Sequence, residues 1–90
     1  MQQPELMETA VNWRELLTAL HFTHRMTLID IAMAVSSHRD SIRNYYNRAT
    51  TPSHLMGEKL IALWLRTTGR PREALPMEQV LPSVARLRRG

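Results

Sequence analysis

Residues 26–46, MTLIDIAMAVSSHRDSIRNYY, constrain the fold more tightly than any other stretch of the chain. Leu28, Ile31, Ala32 and Val35 fall at i, i+3, i+4 and i+7, the spacing of one apolar helical face. Thr27 precedes that run and Asp30 stands three residues later, which makes a reciprocal capping pair. The pattern stops at Ser36-Ser37, whose hydroxyls bond nearby backbone N–H groups and so favour turns and caps. In the run that follows only Ile42 and Tyr45 look inward. His38, Arg39, Asp40, Ser41, Arg43, Asn44 and Asn47 occupy the other faces. Two short helices, 28–35 and 38–47, joined by a sharp turn, are predicted.

The flanking sequence predicts more helix. Asn12 followed by Glu15 starts a helix over 12–22, with Trp13, Leu16, Leu17 and Leu20 on its buried side. Residues 4–11 either extend that helix from Pro4 or form a separate turn. After 47, an Asn/Thr/Pro-rich loop ends at Thr51-Pro52-Ser53, where Thr51 or Ser53 can cap a helix over 53–68. Met56, Leu60, Leu63 and Trp64 form its apolar stripe, Ile61 and Leu65 widen it, and Gly57 permits a close neighbour. Gly69 and Pro71 stop it. From Pro76, the residues Met77, Val80, Leu81, Val84 and Leu87 fit one helical face interrupted by Pro82. No strand, repeat or low-complexity run stands out. The expected fold is all-α: a compact four- to five-helix domain over 1–69 with a short helical extension over 70–90.

Composition narrows the chemistry. Ninety residues make one domain, and the absence of cysteine removes disulfides and thiolate metal sites. No signal peptide or apolar run of roughly 18 residues is present, so a cytoplasmic protein with no membrane association is expected. The net charge of +4 is unevenly spread: −2 over residues 1–20, +5 over 21–72 and +1 over 73–90. Eleven of the twelve basic residues are arginine, the side chain suited to bidentate contact with phosphate or guanine. His21 and His24 are three apart and could share a helical face, but no third partner stands at metal-ligand spacing, and two solvated histidines are the simpler reading. His54 has no partner pattern either. No Ser–His–Asp order or Gly-rich phosphate loop occurs, so no catalytic residue, metal site or cofactor is assigned and no enzyme is expected.

A helix with a narrow apolar seam and an Arg/Asn-bearing opposite side suits a reader of the DNA major groove. Base contacts are assigned to His38, Arg39, Asp40, Arg43, Asn44 and Asn47. Phosphate contacts are assigned to Thr27, Ser37, Ser41, Tyr46, Arg48 and Thr50. Tyr45 is expected in the core and Tyr46 exposed. Arg43, one residue past buried Ile42, is the leading base reader; the plainer alternative is an ion pair with Asp40.

Residues 12–68 resemble the five-helix helix–turn–helix domain of the lambda repressor and Cro group of phage and bacterial regulators. The likeness rests on Ala32 at the helix–helix contact, Ile42 ten residues later, Tyr45 three beyond that, and Pro52-Ser53 leading into an apolar fourth helix. Ser36 stands where the family usually has glycine, Ser37 where a buried aliphatic is usual, and Leu28 where a phosphate-binding glutamine is common. Ser36 is therefore expected to hold a positive φ at a cost of about 1 kcal/mol. The resemblance implies a sequence-specific, non-enzymatic transcriptional regulator that binds palindromic duplex DNA as a homodimer. Leu65, Leu75, Met77, Val80, Leu81 and Val84 are the expected dimer interface. Two alternatives remain: a protein-interaction module of the same fold, an antitoxin or adaptor whose residues 70–90 bind a partner, and a non-specific architectural or RNA-binding protein, for which the clustered aromatics of a stacking surface are missing.

Overall fold

The computed structural model describes residues 8–80. The expected helix start at Pro4, and the Leu81, Val84 and Leu87 part of the C-terminal apolar face, lie outside them. Strand β1 (Glu8–Val11) leads into α1 (Trp13–Thr18), which continues as a wider π turn at Ala19–Thr23. Helices α2 (Leu28–Ala34), α3 (Arg39–Tyr46) and α4 (His54–Thr68) follow, then a 3-10 turn at Arg72–Ala74 and strand β2 (Met77–Val80). The result is a compact, mostly helical globule with four α-helices and one small antiparallel sheet.

Side-chain caps set where the helices begin. Asn12 Oδ1 accepts from the Glu15 N–H (3.0 Å) ahead of α1, and Ser53 Oγ accepts from the Met56 N–H (3.1 Å) ahead of α4. At α2 the expected capping box is complete. The Asp30 N–H donates to Thr27 Oγ1 (3.0 Å) and the Thr27 N–H donates to Asp30 Oδ2 (2.9 Å). These bonds to Thr27 hold the Asp30 carboxyl below its ordinary pKa, the backbone N–H contributing most and the hydroxyl adding to it.

Left-handed residues set where the helices end. Ser36 has φ 57°; the Ser37 N–H reaches back to Ala32 O (2.8 Å) and the Ser36 N–H to Met33 O (3.3 Å). Arg48 repeats this after α3 with φ 66°, the Ala49 N–H donating to Asn44 O (2.9 Å) and the Arg48 N–H to Tyr45 O (3.2 Å). Arg25 (φ 61°) closes the π turn, where the Met26 N–H donates to Leu20 O (3.0 Å). Only α4 uses glycine for this purpose, Gly69 at φ 70°.

The buried centre draws on every α-helix. Leu16, Leu17 and Leu20 meet Ile31, Ala32, Val35 and Ile42, and the cluster continues through Leu60, Ile61, Leu63 and Trp64 to Leu75. Helix α2 packs on α3, and α3 also touches α1. Gly57 is buried because the Trp13 ring lies over it; a Cβ there would stand 3.0 Å from the indole.

The sheet is the main departure from the all-α expectation. Residues 8–11 are a strand, not an extension of α1, and residues 77–80 are a strand, not a helix. Glu8 pairs with Val80 and Val11 with Met77, and the Asn12 N–H extends the ladder to Pro76 O (2.9 Å). The helical spacing of Met77 and Val80 is a local pattern, whereas β1 supplies a hydrogen-bonding partner from the far end of the chain. In the strand these two side chains fall on opposite faces. Residues 70–80 thus pack onto the helices: Leu75 is buried, and Arg72 grips Glu58 on α4 at 3.1 Å.

Candidate nucleic-acid interface

Helix α3 divides cleanly into two sides. With about 100° per residue, Arg39, Arg43, Asn47, Asp40 and Asn44 occupy one arc of about 140°. Every one of them is exposed, as is His38 at the N-cap. On the other side Ile42 is fully buried, and Ser41, Tyr45 and Tyr46 are half-buried. Five of the six residues assigned to base contacts are thus brought together on one accessible arc, and His38 is exposed at the leading end of the helix. Ile42 fixes that orientation, because turning the helix outward would strip its side chain of the core.

Within the arc, Arg43 Nη1 donates to Asp40 Oδ1 at 3.3 Å. The pair is open to solvent and contributes little to stability, yet it biases the direction of the Arg43 guanidinium. His38 makes no side-chain cap bond, so its ring is free to turn outward. Arg39 has no carboxylate partner among the described residues.

The six residues assigned to phosphates are placed less uniformly. Thr27 and Thr50 are exposed, whereas Ser37 and Ser41 are half-buried. Tyr46 is half-buried, not exposed: it packs against the core and lies beneath the Arg14 guanidinium, 4.9 Å from the ring centroid. Tyr45 is half-buried beside it and not fully in the core. Arg48 is already engaged, its two terminal nitrogens donating to the Glu78 carboxylate at 3.1 and 3.2 Å and one of them also to Asn12 Oδ1 at 3.4 Å. That bond set ties the end of α3 to β2 and to the cap of α1. A phosphate would have to share or displace Glu78.

Among the described residues, those assigned to a dimer interface do not form one free surface. Leu75 is buried within the protomer and Leu65 is half-buried against the core. Val80 is half-buried and Met77 is exposed, on opposite faces of the ribbon. Leu81 and Val84 lie outside the described residues. The large apolar side chains that do face solvent are elsewhere: Phe22, Ile29, Met33 and Leu55, together with Met77. Ile29 and Met33 are one turn apart on α2 and make a ridge.

His24 is exposed as expected, but His21 is half-buried and not solvated, its Nδ1 lying 2.7 Å from Met26 O across the link into α2. Among the described residues no three His, Asp or Glu side chains are grouped to hold a metal ion, and no helix is long and apolar enough to cross a membrane. No family model, curated protein or solved structure matches the chain.

Proposed function

We propose that this protein is a sequence-specific, DNA-binding transcriptional regulator of helix–turn–helix type that reads duplex DNA in the major groove with α3. The observation that supports it is the arc of Arg39, Asp40, Arg43, Asn44 and Asn47, exposed on a helix anchored from behind by Ile42. Arginine can bond the O6 and N7 of guanine, and asparagine the N6 and N7 of adenine. Thr27, Ser37, Ser41, Thr50 and backbone amides would set the position of the helix on the phosphates. One such helix reads only a few base pairs, so useful specificity implies a homodimer on two half-sites about one helical turn apart. Of the expected interface, Met77 is the exposed member among the described residues.

Selecting bound duplexes from a random pool, with a salt titration of the winners, tests the proposal. A consensus with twofold symmetry and a steep loss of affinity with salt is the expected outcome. Equal affinity for random and selected duplexes would leave a non-specific binder instead.

A second reading is favoured by exposed Phe22, Ile29 and Met33: a protein-interaction module of the antitoxin or adaptor kind. Its partner would cover α2 rather than residues 70–80, which are packed into the body. A stoichiometric protein partner with no salt-dependent duplex binding would support it.

A further inference from the structure

Arg25 occupies a backbone position that an arginine should not hold for structural reasons. Its φ of 61° lies in the left-handed region, where glycine or asparagine is cheaper. The position is locked from both sides. The Met26 N–H donates to Leu20 O (3.0 Å), the Met26 carbonyl meets His21 Nδ1 (2.7 Å), and the capping box begins at Thr27. The chain therefore cannot relax the strain by shifting the link.

Among the described residues the side chain has no ion-pair or cation–π partner that would offset that strain. Among the described residues, Arg43, Arg48 and Arg72 each hold a carboxylate, and Arg14 and Arg70 lie over aromatic rings. Arg25, Arg39, Lys59 and Arg66 have neither kind of partner. Lys59 and Arg66 sit in ordinary helical backbone on α4, and Arg39 belongs to the exposed arc of α3. Arg25 alone combines an unpartnered guanidinium with a strained backbone. Strain of this kind clusters at ligand-binding sites.

Placement says which site. Arg25 stands two residues before Thr27, at the entry to α2, and α2 is seven residues long, or about 10 Å. The other end of α2 joins the leading end of α3 through residues 35–38. A major groove is about 12 Å wide between its phosphate walls. With α3 in the groove, the entry to α2 falls at the rim, where the first helix of such a pair crosses the backbone. Resting on the reading of α3 as a groove reader, we infer that Arg25 is a DNA phosphate-binding residue, a clamp kept at the expense of local backbone strain. It sets how deeply α3 seats and carries no base information.

Arg25→Gly and Arg25→Asn, measured beside the wild type on selected and random duplexes, test this. Both variants should match or exceed the wild type in Tm, because each accepts φ near 60° more readily. Both should bind every duplex more weakly, by about five- to tenfold at moderate salt, with a salt slope smaller by about one. Wild-type affinity and slope in both variants would overturn the inference while leaving α3 as the reader. A loss confined to the selected duplex would also overturn it, since Arg25 would then be touching a base. Absence of salt-dependent duplex binding by the wild type itself would remove the reading of α3 and this inference with it.

Discussion

Ser36 ends α2 in a left-handed conformation that its Cβ disfavours, and the cost is recoverable. Ser36→Gly should raise stability by about 1 kcal/mol in denaturant unfolding, since the two bonds back to Ala32 and Met33 use only backbone atoms. Ser36→Ala should gain nothing. At Arg43 the expected effect is on binding: Arg43→Ala should cost roughly 1–3 kcal/mol on a selected duplex and relax preference at one base pair, read by competition binding. A loss equal on all sequences would make Arg43 a phosphate contact. The positive φ at Ser36 was legible from the sequence because a turn was needed where a glycine was missing. Half-burial of Tyr46 was not, because the Arg14 guanidinium that covers it comes from α1, 32 residues earlier.

At the scale of elements, the helices were legible and the strands were not. Thr27 with Asp30, Asn12 with Glu15, and Ser53 ahead of an apolar run each announce a start within three residues, and each makes the predicted bond. Thr27→Ala should lower stability by about 1 kcal/mol in thermal or denaturant unfolding. The same substitution should raise the Asp30 pKa only part of the way to its ordinary value in an NMR titration of the carboxyl, because the Thr27 backbone N–H, the larger cause, remains. Because the folded-state value is depressed, the Asp30 bonds support the fold above about pH 4, the unfolded carboxyl range, and are lost as pH falls through the lowered value. Strands β1 and β2 carry no such local mark. Each is four residues long, and each owes its form to a partner about seventy residues away, a distance no window of periodicity spans.

Across the whole molecule, Arg48 connects the candidate reading helix to the ribbon, and the connection can be tested from the other side. Glu78→Gln should cost about 0.5 kcal/mol of stability, a small loss because Arg48 is half exposed. It should also tighten duplex binding at every sequence by freeing the guanidinium for phosphate, seen as lower Kd values and a steeper salt slope. Unchanged binding would confine Arg48 to a structural role. The ribbon also bears on the order of assembly. Pairing Glu8 with Val80 closes a loop around all four helices, and so large a closure gains little until those helices have already drawn its ends together. The two strands should then be the last part to register and the first to part, a clasp whose amides exchange with solvent ahead of those of the helices.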